Sequence, residues 1–274
     1  MPRVLSIAGT DPTGGAGIQA DLKSIMAAGG YGMSVVTALV AQNTQGVRDI
    51  HIPPVDFLRQ QLAAVAEDVV IDAVKIGMLG SADVARVVTD FIDRDPAKIV
   101  VVDPVMVSTS GDSLFDAAAK DLLIDLIQRA TVVTPNIPEL ATLSGIELQD
   151  ITSREQAIDI AAALAEQWNT SFVVKAGHLT GTTDRGNTLV APGQEPFHVK
   201  SPAVDTRNTH GTGCSLSSAL ATRMVVDEPR EALAWATTWL HAAIATADSL
   251  HIGRGHGPVN HSVWLGEAHS RPAR

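Results

Sequence analysis

Val4-Leu5-Ser6-Ile7-Ala8 runs into the glycine-rich turn Gly9-Thr10-Asp11-Pro12-Thr13-Gly14-Gly15-Ala16-Gly17, after which Ile18, Leu22, Ile25 and Met26 recur at helical spacing and a second apolar run fills residues 35–41. A short apolar run without alternation marks a strand buried on both faces, and recurrence every three or four residues marks one face of a helix. Strand, helix and strand in that order form a βαβ unit, whose strands lie parallel. The alternation continues outward. Residues 73–76, 99–102, 131–134 and 172–175 read as further strands, with helical patterns over 57–65, 84–91, 122–127 and 157–164 between them. The expected fold class is therefore α/β, a mostly parallel central sheet with helices on both faces. Residues 187–190 and 197–199, close together around Pro192-Gly193, suggest a hairpin at the sheet edge. No stretch has linker composition and no repeat is visible, which points to a single domain over residues 1–265 followed by a flexible tail over 266–274.

Composition narrows the function. Of 274 residues, 45% are hydrophobic and 18% charged, as in ordinary globular proteins, and the formal net charge is −10. That charge argues against nucleic acid or an anionic membrane as the main partner, since both require basic surface. An aromatic content of 4% also speaks against stacking platforms for single-stranded nucleic acid. A small anionic ligand stays open, because local amides and one or two lysines suffice to hold it. The single cysteine excludes an internal disulfide and a cysteine-rich zinc site, and it points to a reducing compartment. Met1-Pro2-Arg3 leads straight into the first strand, and no apolar run reaches membrane-span length, so a cytoplasmic protein is expected.

In open parallel sheets, ligands bind beyond the carboxyl ends of the strands. Polar clusters follow several of these ends: the first glycine turn, Gln42-Asn43-Thr44, Asp103-Pro104-Val105-Met106, Pro135-Asn136-Ile137-Pro138-Glu139, and Lys175. The most informative segment lies further on, at Asp205-Thr206-Arg207-Asn208-Thr209-His210-Gly211-Thr212-Gly213-Cys214-Ser215, ahead of the apolar helical run 216–224. Glycines at 211 and 213 allow successive amides to face one concavity at a helix start, which favours a phosphate or the charge on a phosphoryl group in transfer. Cys214 stands where a thiolate would be stabilised. His210 is secondary, and Asp205 either closes the turn or approaches a metal-bound phosphate.

Other motifs carry two readings each. Gly15-Ala16-Gly17-Ile18-Gln19-Ala20 fits the dinucleotide fingerprint formally, but it starts too far after its strand and lacks the acidic residue at the required distance. No Gly-Lys dipeptide exists, so there is no Walker A loop. Asn136 and Glu139 form either a capping box or a magnesium site acting between phosphates. Asp103 either caps backbone amides or offsets a metal-bound phosphate. Lys175 leaves a buried strand and requires an anionic partner. The Gln42 amide offers a donor and an acceptor on one edge, which suits an aminopyrimidine-like ring, and Met78 and Met106 could form an apolar slot around it.

The segments Gly9–Asp21, Ala38–Thr44, Lys75–Leu79 and Asn208–Cys214 closely resemble the hydroxymethylpyrimidine/phosphomethylpyrimidine kinases of thiamine biosynthesis. The resemblance runs from about Leu5 to His261. It implies a ribokinase-like three-layer α/β/α sandwich and a homodimer. It also implies phosphorylation by ATP with Mg2+ of 4-amino-5-hydroxymethyl-2-methylpyrimidine, first to the monophosphate and then to the diphosphate. By motif, Gln42 would bind the aminopyrimidine edge, with Gly9, Asp21, Val40 and Met78 around it. Asn136, Glu139, Asp103, Thr209 and Thr212 would contact the nucleotide, with Glu139 and Asp103 near the metal, through water or directly. Lys175, Gly211, Gly213 and Cys214 would act on the transferred group, Cys214 either as base or in positioning the alcohol. Lys175-Ala176-Gly177-His178 departs from the family's usual Lys-Gly-Gly-His, and Gly257-Pro258-Val259-Asn260-His261 from a version with two histidines. Two rival readings are a pyridoxal or pyridoxine kinase and a precursor-binding sensor without transferase activity.

Overall fold

The computed structural model describes residues 1–95, 97–106, 120–175, 177 and 183–264; the expected tail, and Ala176 and His178 of the departing motif, lie outside the described residues. One nine-stranded sheet organises the chain, with strands in the order β3-β2-β1-β4-β5-β6-β7-β8-β9. Its parallel body comprises β1 (Arg3–Gly9), β2 (Tyr31–Asn43), β4 (Ala73–Ile76), β5 (Ile99–Val102), β6 (Val132–Val133) and β7 (Ser171–Lys175). Antiparallel strands close both edges: β3 (Gly46–His51) against β2, and the hairpin β8 (Asn187–Val190) and β9 (Phe197–Val199) against β7. The expected strands and the edge hairpin are all present. β3 and the helix α8 (Pro229–Ala245) go beyond the sequence reading.

Strand alternation sorts side chains into two layers. Leu5, Ile7, Val74, Ile76, Val100, Val102, Phe172 and Val174 face one core, which is covered by α2 (Val55–Ala66), α3 (Ala82–Arg94), α4 (Lys120–Ile127), α5 (Ile137–Ser144) and α6 (Arg154–Trp168). Val4, Ala73, Val101 and Val173 face the other, covered by α1 (Gly17–Ala27), α7 (Thr212–Arg223) and α8. This is the three-layer α/β/α arrangement. Met26, expected on the buried face of α1, is 56% exposed, because Ile18 and Ile25 already define the stripe that meets the sheet. Among the described residues, no helix is long and apolar enough to cross a membrane.

The chain starts at β1 in the sheet interior, passes to β2 on one side, and then crosses to β4 and onward on the other. The order therefore reverses between β1 and β4, and helices leave on opposite faces there, opening a crevice at the carboxyl edge. Behind it, His261 is buried beside Trp239 and sits 2.9 Å from the Ser215 hydroxyl, which donates to the Gly211 carbonyl at 2.8 Å. Burial pushes the His261 imidazole down to about 4, from 6.5. Between these values the unfolded chain takes up a proton that the folded chain refuses, so stability falls as pH drops from about 6.5 to about 4. Replacing His261 with Gln is expected to remove on the order of 2–3 kcal/mol of that loss, read from urea unfolding at the two ends of the window.

Candidate active site

A cavity of about 470 Å3 opens at this crevice. Its lining gathers Gly9 from β1, Val40 and Gln42 from β2, and Met78 from the turn after β4. It also takes in Asp103 after β5, Asn136 and Glu139 at the start of α5, Lys175 at the end of β7, and the loop from Thr209 to Cys214. Met106 lines it as well, whereas Asp205 is exposed and outside the lining.

One end of the cavity is apolar with a single amide. Gly9 packs against Met78, since a Cβ at Gly9 would lie 3.2 Å from the Met78 sulfur. The Thr37 hydroxyl fixes the Met78 carbonyl at 2.6 Å, and the Val40 amide donates to the Thr10 hydroxyl at 3.1 Å. Gln42 follows a register shift between Ala41 and Gln42 in the β2–β3 pairing. Asp21 does not join this end. It is fully buried, with its carboxylate taken by the Lys75 ammonium and by the Ser6 and Ser218 hydroxyls, so direct ligand contact expected of it gives way to an internal role. Lys75, which the sequence reading passed over, lines the cavity in its place.

The other end is lined by the backbone of the loop before α7. Gly211 caps α7 with φ +79°, and a Cβ there would overlap the Gly15 carbonyl oxygen. Only glycine meets both conditions. A Cβ at Gly213 would lie 3.3 Å from the Lys175 ammonium nitrogen and 3.5 Å from an Asp103 oxygen, so the bare backbone faces that cation. The first-turn amides of α7 have no helical acceptors and carry the positive end of the helix dipole. His210 holds the loop in place. Its Nε2 sits 2.8 Å from Asp11 Oδ2, the same oxygen that accepts from the Gly15 and Ala16 amides at 3.0 and 2.8 Å. Burial pushes the Asp11 carboxyl up, but His210, Thr13 and these amides outweigh it and hold the group well below the usual carboxylate range.

Charge is concentrated around Lys175. Its ammonium lies 2.8 Å from Asp103 Oδ1 and 3.7 Å from Glu139 Oε2. Burial raises the Asp103 carboxyl, and the Lys175 and Lys75 ammoniums with the Thr134 hydroxyl more than reverse this, keeping it ionised. Glu139 goes the other way: burial, reinforced by the Asp103 charge, pushes it up to about 7 against the pull of Lys175. The Asn136–Glu139 capping box is formed, with the Glu139 amide donating to Asn136 Oδ1 and the Asn136 amide to Glu139 Oε2, both at 2.8 Å. Both residues nonetheless face the cavity, so capping and ligand contact coexist. Among the described residues, no three His, Cys, Asp or Glu side chains converge as a metal cage.

Cys214 corrects one expectation. A stabilised thiolate would follow from the helix start and the Gly17 amide, but burial pushes the thiol up to about 11, and the nearby Asp21 and Asp103 charges add to the rise despite Lys75. At neutral pH it is a thiol. A last element, the segment 251–257, straps the site from outside. The Gly255 and His256 amides donate to the Thr44 hydroxyl and carbonyl at 3.1 and 2.9 Å, tying the tip of the β2–β3 hairpin. The Gly257 amide donates to Asn208 Oδ1 at 2.9 Å, and the His210 amide to the Gly257 carbonyl at 3.0 Å, tying the anion loop.

Comparison with known proteins gives the family of the chain. The family model described as phosphomethylpyrimidine kinase matches residues 11–260. The chain is 56% identical over 262 residues to the thiamine biosynthesis multifunctional protein ThiED of Corynebacterium efficiens, covering 95% of this chain but 35% of that protein. It thus spans about a third of that relative's length. To the hydroxymethylpyrimidine/phosphomethylpyrimidine kinase of Salmonella typhimurium it is 42% identical over 263 residues, covering 94% of this chain and 96% of the relative. Among solved structures, phosphomethylpyrimidine kinase from Clostridium difficile superposes with a TM-score of 0.77 at 36% identity, over 89% of this chain and all of that one. The ADP complex of Bacillus subtilis pyridoxal kinase superposes with a TM-score of 0.84 at 30% identity, over 97% and 99% of the two chains. The glycine-capped anion loop, the amide-bearing apolar end and the matched length lead to one statement: this chain belongs to the phosphomethylpyrimidine kinase family, with a ribokinase-like fold.

Proposed function

We propose that this protein uses ATP to phosphorylate the hydroxymethyl group of 4-amino-5-hydroxymethyl-2-methylpyrimidine, and then the resulting monophosphate, in cytoplasmic thiamine biosynthesis, as a homodimer. The observation that carries this reading is one cavity holding Gln42, Val40 and Met78 at one end and the Gly211–Gly213 backbone with Lys175 at the other. Gln42 orients the ring by its amine and adjacent ring nitrogen, while Met78, Val40 and Gly9 exclude water around it. In the first transfer the alcohol oxygen bonds to the γ-phosphorus as the bond to the ADP oxygen breaks, and the hydroxyl proton passes to solvent; in the second the acceptor is an oxygen of the monophosphate, which is already ionised. The α7 amides and Lys175 stabilise charge on the moving group, so the rate comes from positioning and electrostatics. Thr209 and Thr212 line the nucleotide end. Two carboxylates, Asp103 and Glu139, beside a lysine suit Mg2+, which takes one or two carboxylates and otherwise keeps water and phosphate oxygens. When bound, that ion would neutralise phosphate charge.

A second reading has structural support, since the pyridoxal kinases of Bacillus subtilis and Staphylococcus aureus share the fold, the latter solved with AMP-PCP and pyridoxal. Their 28–30% identity is well below the 42–56% of the thiamine relatives. Coupled detection of ADP with the pyrimidine alcohol, its monophosphate and pyridoxal separates these readings and the sensor. ADP is expected with the first two; preference for pyridoxal, or no acceptor-dependent ADP, overturns the proposal. Gly211→Ala should lower kcat by about 10²–10³, as much as one misplaced oxyanion-type donor costs, because its Cβ would push the α7 amides away from the Gly15 carbonyl and off the transferred group while the pyrimidine still binds; steady-state kinetics with calorimetric binding tests this. Cys214, a thiol in this site, is assigned to positioning the alcohol. Accordingly Cys214→Ser should retain most turnover, whereas a fall of about 10²–10⁴, typical of a lost general base, would return the base role to it.

A further inference from the structure

The layer beneath the cavity holds a polar cluster that the transfer scheme does not use. Ser6 on β1 and Lys75 on β4 are register partners. Each stands two residues after an apolar side chain, Val4 and Ala73, that packs into the α1 and α7 layer, so both point to that face. There the Lys75 ammonium donates to both oxygens of Asp21, at 2.8 and 2.9 Å. Asp21 also accepts from the Ser6 hydroxyl at 2.6 Å and the Ser218 hydroxyl at 2.8 Å. All four residues are fully buried. Gly77 leaves room for the cation, since a Cβ there would lie 2.8 Å from its nitrogen. Ser218 stands one helical turn after Cys214 on the same face of α7, and Lys75 and Cys214 both line the cavity.

A buried ion pair is a poor way to gain stability, because apolar residues of similar size commonly serve as well or better. What the pair supplies here is charge at a fixed place. We propose that Lys75, held by Asp21, is a positioning residue for transfer: its ammonium is a second fixed positive charge, at the Cys214 end of the cavity, that favours negative charge on the acceptor oxygen. The proposal rests on the kinase reading given above. Besides Lys75, the groups acting on Cys214 are Asp21 and the Gly17 amide on α1, Asp103 after β5, and Lys175 on β7.

Cys214 is the only cysteine in the chain, so alkylation by iodoacetamide reports the field at that end of the cavity without substrate or turnover. At a fixed pH of about 8, Lys75→Met is expected to slow alkylation about tenfold and Asp21→Asn to speed it by a similar factor, as one pKa unit would. A loosened fold would speed both, so opposite signs are the signature. Equal rates in Lys75→Met and the parent, or shifts in the same direction in both variants, would overturn the proposal. Should Lys75→Met not fold, Asp21→Asn decides alone: faster alkylation at an unchanged melting temperature supports it, and an unchanged rate sinks it. In turnover, Lys75→Met should lower kcat more than it changes the KM for ATP, and an unchanged kcat also counts against it. Because alkylation needs no substrate, its failure is distinct from failure of the ADP assay.

Discussion

The site depends on one close approach, that of the Gly211 backbone to the Gly15 carbonyl. Because neither loop carries a side chain at the contact, α1 and α7 begin almost against one another, and two helix starts converge on one cavity. Each brings the partial positive charge of a helix start to the cavity without any formal charge. Asp11 keeps the contact in register by accepting from its own loop and from His210 of the other. A larger residue at either glycine would separate the helix starts and the ligand ends they serve.

Buried charge in the cavity is balanced locally, although the chain as a whole carries a formal net charge of −10. Lys75 is matched by Asp21 and Lys175 by Asp103, so neither pair carries net charge, yet each holds an ammonium at a fixed place in the cavity lining. Burial and the Asp103 charge hold Glu139 above the usual carboxylate range. The remaining attraction comes from amides, whose orientation the backbone fixes in advance and which need no reorganisation when charge arrives.

Much of this was legible in the sequence. The parallel body of the sheet followed from unbroken apolar runs, since only strands buried on both faces read that way. The positions of Gln42, Asn136, Glu139 and Lys175 followed from the rule that strand ends carry the site, and that of the 211–214 turn from its glycines ahead of a helical run. Side-chain ionisation did not follow. The burial of Asp21 and the protonation of Cys214 escaped for the same reason: whether a carboxylate or thiol meets solvent or a buried lysine depends on which strand neighbours lie beneath it, and register is absent from the linear chain. Lys75 carried a signal, a charged residue inside the run Ala73-Val74-Lys75-Ile76, that a stricter accounting of buried cations would have followed. β3 was missed because an edge strand half open to water loses the continuous apolar pattern, and its Gly-Val-Arg-Asp-Ile-His sequence alternates only weakly.

The strap at 251–257 has a consequence for how the molecule is made. Its Gly255 bond to Thr44 joins residues 211 positions apart, and the His210–Asp11 tie spans 199. Contacts that distant form late, after the local βαβ units have collapsed and the loop-closure entropy has been met. During synthesis, the sheet and most of its helices can therefore assemble while the two ends of the cavity are still unjoined, and the pocket closes only once the segment after the last helix has left the ribosome.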